Sequence, residues 1–127
     1  MGCRGGPLRP PNSGAGRAAP LQFWDRLLAI SIISLAELYE GVHYSRNPAQ
    51  SEAVLQRFLA SVSVLPIDED VCRIFGRERG KLRQEGKAIG DFDLLIASTC
   101  FCHDLTLCTN NRRHFEMVEG LRMVSQP

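Results

Sequence analysis

The stretch Ile89-Gly90-Asp91-Phe92-Asp93-Leu94-Leu95-Ile96-Ala97-Ser98 decides how this chain is read. Two acids, two positions apart, stand immediately before an apolar run. Gly90 interrupts the preceding pattern. Asp91 can cap a helix, because its carboxylate can accept from the unpaired N–H groups of the first turn. Asp93 then falls inside that turn. Leu94, Leu95, Ile96, Ala97 and Phe101 are too apolar for a surface helix and predict a packed one. A carboxylate at the start of a buried helix costs desolvation unless something positive meets it. Taken alone, the pair reads either as a capped helix with a second acid favoured by the dipole, or as a metal ligand.

Working outward, Asp68 or Asp70 is expected to cap a helix reaching about Glu85, with Val71, Ile74, Phe75 and Leu82 as its core face. Arg73, Arg77, Arg79, Lys81, Arg83 and Lys87 lie on and after it, mixed with Glu78 and Glu85, and fit a solvated face. After the central stretch, Leu105 to Thr109 predicts a strand, Arg112 to Met117 a short helix, and Leu121 to Val124 a last strand. Upstream, the β-branched run Ala29 to Ser34 predicts a buried strand. Ser34 with Glu37 three residues on has capping-box spacing for a helix to about Arg46. A second helix is expected over 49–60, with Val54, Leu55, Phe58 and Leu59 inward, and a short strand over Val62 to Ile67. The alternation predicts an α/β fold with a mostly parallel sheet and helices on both faces. In such sheets ligands gather at the C-terminal strand ends. Glu37, Asp91, Asp93 and Asn111 all fall just after a strand or at a helix start, so they can converge on one edge.

With 127 residues, the chain suits one domain with a single core. Its formal charge of +1 is unevenly placed. Residues 1–20 hold Arg4, Arg9 and Arg17 and no acid, which leaves 12 basic against 14 acidic residues from position 21 onward. A basic nucleic-acid module is therefore not indicated, and a polyanion would need a metal or a local patch. Residues 1–20, rich in Gly and Pro, are expected to be a disordered segment, with a domain over 21–127. No apolar run approaches a membrane span and no secretory h-region is visible, so a cytoplasmic chain is expected. The five cysteines include no C-x-x-C and suggest reduced thiols. His43, His103 and His114 are scattered and fit surface or capping roles. No Gly-rich phosphate loop is present, which speaks against a nucleotide-binding protein.

Three blocks together carry a resemblance: Ile32-Ile33-Ser34-Leu35-Ala36-Glu37-Leu38-Tyr39-Glu40-Gly41-Val42, then Ile89 to Ala97, then Leu105-Thr106-Leu107-Cys108-Thr109-Asn110-Asn111 with Phe115. They resemble the PIN-domain nucleases, most closely the VapC-like toxins of type II toxin–antitoxin systems. The resemblance runs from about Ala29 to Val124. It implies a three-layer α/β/α fold and a ribonuclease dependent on Mg²⁺ or Mn²⁺. Carried over position by position, it implies Glu37, Asp93 and Asn111 as catalytic residues. Glu37 and Asp93 would be metal ligands, with Asp91 as an accessory acid, and Thr109 a substrate or water contact. Mg²⁺ takes hard oxygen ligands, usually one or two carboxylates plus waters and substrate phosphate. The resemblance also implies an RNA substrate, a cognate antitoxin and a homodimer.

Family members normally begin with a central strand ending in Asp-Thr-Asn or Asp-Ser-Ser. This sequence enters the pattern at the second strand, so the first central strand is expected to be missing or replaced, leaving the domain N-terminally incomplete. Three readings account for this: a misread start, a relic, or replacement by Leu21 to Leu28 with Asp25 as the acid. A competing function follows, in which a catalytically impaired body acts only as a protein-binding module or has no function.

Overall fold

The computed structural model describes residues 2–5 and 28–125. In chain order the elements are β1 (Gly2–Gly5), β2 (Leu28–Ser31), α1 (Ile32–His43), α2 (Pro48–Leu59), β3 (Ser63–Leu65), α3 (Glu69–Gln84), α4 (Asp91–Cys102), β4 (Leu105–Cys108), a 3₁₀ turn (Arg112–His114) and β5 (Met123–Val124). The sheet order is β3-β2-β1-β4-β5. β2 runs parallel to β3, and β4 parallel to β5. β1 lies between β2 and β4 and is antiparallel to both. Four of the five strands therefore share one direction, and the expected mostly parallel α/β sheet is present.

The central slot is where the chain departs from expectation. Residues 1–20 were assigned to a disordered segment, yet Gly2–Gly5 are hydrogen-bonded into the sheet. The backbone groups of β2 and β4 that an empty slot would orphan thus find partners, a burden that any buried strand edge must discharge. The proposed substitute, Leu21 to Leu28 with Asp25, falls outside the described residues except for Leu28, which opens β2. β1 reads Gly-Cys-Arg-Gly and brings no acid to the sheet centre.

The helix starts show which local signals prevailed. Asn47 and Asp68 cap α2 and α3, accepting from the backbone N–H of Gln50 and Val71, and Pro48 takes the first helical position, where its missing N–H costs nothing. At α1 the cap is Ser31, not Ser34: the Ser31 hydroxyl oxygen accepts from the Ser34 N–H at 3.0 Å. Ser34 is buried within the helix, and Glu37 sits one turn further along than the capping-box reading placed it. Its carboxylate is not spent on the cap. At α4 the cap is Gly90, with no side-chain hydrogen bond, so Asp91 is the first helical residue and not the cap.

The core gathers on α4 and β4. Leu94, Ala97, Cys100, Leu107 and Phe115 are fully buried in one cluster, with Ile96 beside them. α3 packs along α4, and α4 also meets α1 and β4. Burying each large side chain of this kind contributes roughly 1.5–3 kcal/mol. The Ser98 and Thr99 hydroxyls, also buried, donate to the carbonyls of Leu94 and Leu95 and so are satisfied within the helix. β5 is fastened by the Leu107 and Thr109 N–H groups, which donate to the carbonyls of Arg122 and Val124. The turn from α4 into β4 passes through Asp104 at φ 53°, held by Arg122 to its carboxylate at 2.6 Å and its carbonyl at 3.1 Å.

One expectation about side chains is corrected. On α2, Val54 and Phe58 are exposed and only Leu55 is buried; among the described elements α2 packs chiefly on α1. Of the thiols, Cys72 is exposed. The solvated face expected on α3 holds for Arg73 and Lys81, which pair with Glu69 and Glu119, but Glu78, paired with Arg77, is buried and Arg79 is only 18% exposed.

Candidate metal and phosphate site

Three segments supply the site. The first turn of α4 holds Asp93. It is fixed because the residues that follow, Leu94, Ile96 and Ala97, are locked in the core. α1 holds Glu37. The end of β4 and the turn after it hold Thr109, Asn110 and Asn111. Glu37, Thr109 and Asn111 line one cleft of about 840 Å³, together with apolar side chains of α1 and α2 such as Leu38, Val42, Val54 and Phe58. Glu37 is exposed to this cleft and has no hydrogen bond or ion pair to any described residue.

Asp93 is half-buried, its side chain 24% exposed, and its Oδ2 lies 3.3 Å from Nδ1 of His114. His114 was set aside in the sequence as a surface or capping residue; the fold brings it to the central acid. It does so through a short, well-anchored turn. The Asn111 N–H donates to the Thr109 hydroxyl at 3.0 Å, and the His114 N–H donates to the Asn111 carbonyl at 3.0 Å. The next residue, Phe115, is fully buried. No periodicity or spacing in the sequence signals this contact, since Asp93 and His114 belong to separate elements.

Thr109 is 4% exposed, and its hydroxyl is engaged in shaping the turn. Thr109 also lines the cleft. Arg79 on α3 pairs with the Asp91 carboxylate and donates to the carbonyl of Ile89 at 3.0 Å. It joins α3 to the loop before α4, and the Asp91 side chain is 77% exposed.

Glu37, Asp93 and Asn111 offer two carboxylates and an amide oxygen, all hard donors. That set suits Mg²⁺ or Mn²⁺, which keep several waters and need only one or two carboxylates beside a substrate phosphate. It does not suit a closed protein cage: among the described residues, no three His, Cys, Asp or Glu side chains are grouped closely enough to hold an ion. The Cys102 thiol is pushed up from its ordinary value by burial and then by Asp68 and Asp70, so it stays protonated at neutral pH.

A model of the PIN domain matches residues 15–121. The tRNA(fMet)-specific endonuclease VapC of Shigella flexneri is 36% identical over 95 residues, covering 75% of this chain and 72% of that protein. Ribonuclease VapC2 of Rickettsia felis is 37% identical over 94 residues, covering 74% of this chain and 70% of that one. Among solved structures, VapBC2 of Rickettsia felis, bound to a DNA fragment from its promoter, superposes with a TM-score of 0.72 at 35% identity, over 78% of this chain and 74% of that one. VapBC-1 of nontypeable Haemophilus influenzae superposes with a TM-score of 0.73 at 29% identity, over 88% and 81%. Among the described residues, no helix is long and apolar enough to cross a membrane.

Proposed function

The chain belongs to the PIN-domain family, on its VapC ribonuclease branch, and from that premise we propose that it hydrolyses RNA with a bound Mg²⁺ or Mn²⁺, as the toxin of a toxin–antitoxin pair. The observation that carries the proposal is the meeting of Glu37 and Asn111 in one cleft; Asp93 does not line it, and is tied to the turn after Asn111 through His114. In this reading Glu37 and Asp93 hold the ion and Asn111 orients a water or a phosphate oxygen at the cleft floor. Bound there, the ion would lower the pKa of a water and offset charge building on the phosphodiester. The protein's share is positional. α4 is immobilised by its burial, so the Asp93 carboxylate has little freedom to lose on loading. Among the described residues Glu37 has no ion pair, so none of these has to release it before it takes up its role.

The same reading gives the chain an antitoxin partner, a second copy of itself as homodimer mate, and a cytoplasmic site of action. The antitoxin rests on the kinship with chains solved as VapBC assemblies. One observation favours a second reading, a binding protein without catalysis: the described residues bring two candidate carboxylates to the site, and β1 adds none.

Cleavage of a structured RNA with Mn²⁺ separates the two. Asp93→Asn and Glu37→Gln are each expected to lower the rate about a hundredfold or more, because several kcal/mol of transition-state stabilisation is at stake, while the circular dichroism melt is unchanged. EDTA should abolish cleavage. A folded wild-type chain that cleaves no RNA, yet co-purifies with an antitoxin, supports the binding reading. Cleavage that survives both substitutions removes these acids from the site.

A further inference from the structure

We propose that His114 is a positioning residue for the Asp93 carboxylate, holding one of its oxygens so that the other stays turned toward the ion and the RNA; this rests on the ribonuclease reading of the same site. His114 Nδ1 stands 3.3 Å from Asp93 Oδ2, an ion-pair distance. A small turn of the ring would aim a proton on Nδ1 at that oxygen and leave Oδ1 to a ligand. Carboxylates that hold a metal are commonly hydrogen-bonded in this manner, and the partner fixes their rotamer. Asp93 needs such a partner. It sits at the third position of α4, beyond a Gly90 cap that makes no side-chain bond, and Arg79 is already committed to Asp91.

The imidazole is itself held from both sides. Behind it, Phe115 is buried completely in the core, so the turn cannot rotate without emptying that pocket. Ahead of it, Asn111 is fastened to Thr109. The ring is 58% exposed, too open to owe its place to burial, and its loss leaves no large cavity. A His at 114 thus couples the residue that lines the cleft, Asn111, to the acid on α4 through one short turn.

The test compares wild type with His114→Ala and His114→Asn, whose amide nitrogen can replace Nδ1. Two readouts are taken: Mn²⁺ binding by calorimetry without RNA, and the kcat and KM for RNA cleavage. His114→Ala is expected to weaken Mn²⁺ binding about tenfold and lower kcat about as much, with KM unchanged, as loss of such a partner does elsewhere. His114→Asn should recover most of both, and the melting temperatures of all three should agree. Unchanged Mn²⁺ affinity in His114→Ala overturns the proposal, as does a His114→Asn variant no better than His114→Ala. If wild type cleaves no RNA, the activity reading fails separately, and the calorimetric comparison still decides the role of His114. A wild type that binds no Mn²⁺ overturns it as well.

Discussion

α2 and α4 are each 12 residues long and both carry apolar side chains at helical spacing, yet they end in different surroundings. α4 buries Leu94, Ile96, Ala97, Ser98, Thr99 and Cys100. α2 buries Leu55 alone and leaves Val54 and Phe58 exposed. Composition accounts for part of this, since α2 carries Gln, Glu and Arg along its length and α4 is polar chiefly in its first turn. α4 has neighbours on several sides, in α3, α1 and β4, whereas α2 leans on α1. The contrast separates stability from access. The acid that needs exact placement is mounted on the immobile helix, and the open, adaptable wall of the cleft is mounted on the lightly packed one.

That division can be broken by mutation. Phe115→Ala should have the largest effect, about 3–5 kcal/mol lost in urea unfolding, because it empties the core beneath the turn. Leu94→Ala should follow, at about 2–5 kcal/mol. Phe58→Ala should cost under about 1 kcal/mol, since much of the ring is already in water. A Phe58 variant as damaging as the Leu94 variant would mean that α2 is covered in solution by something packed on it. Within α4 itself, Asp91→Asn should leave RNA cleavage within about twofold of wild type, while Asp93→Asn removes it; surface ion pairs such as Arg79–Asp91 contribute at most about 1 kcal/mol. Equal loss from both would place Asp91 in the metal site. The smallest effect is chemical: iodoacetamide should modify Cys72 before Cys102, whose raised pKa leaves little thiolate.

Much of this was legible in the sequence because it is local. Asp68, one of two candidates, marked its helix by cap chemistry, and the run from Leu94 to Ala97 announced a buried helix by its lack of a polar face. Glu37, Asp93 and Asn111 could be picked out as oxygen donors beside strand ends. What escaped was either ambiguous between neighbours or distant. Ser31 and Ser34 both have the hydroxyl a cap needs, and only the end of β2 decides between them. The partners of Asp91 and Asp93, Arg79 and His114, come from other elements, so no window along the chain displays them together. The strand at Gly2–Gly5 was hidden for a further reason: two of its four residues are glycine, a poor strand former, and it is placed by the ladders on either side.

That strand also sets a clock. Gly2 pairs with Cys108, a partner about a hundred residues later in the chain, so the middle of the sheet joins segments far apart in sequence. Closing so long a loop adds little to the equilibrium cost, which grows only with the logarithm of length. It weighs on the rate, because distant pairings must wait for chain search. Until β4 is made, β1 has no partner on its second side, so the centre of the sheet closes only when these distant segments meet, and chains that lack β4 are the ones most open to wrong pairing.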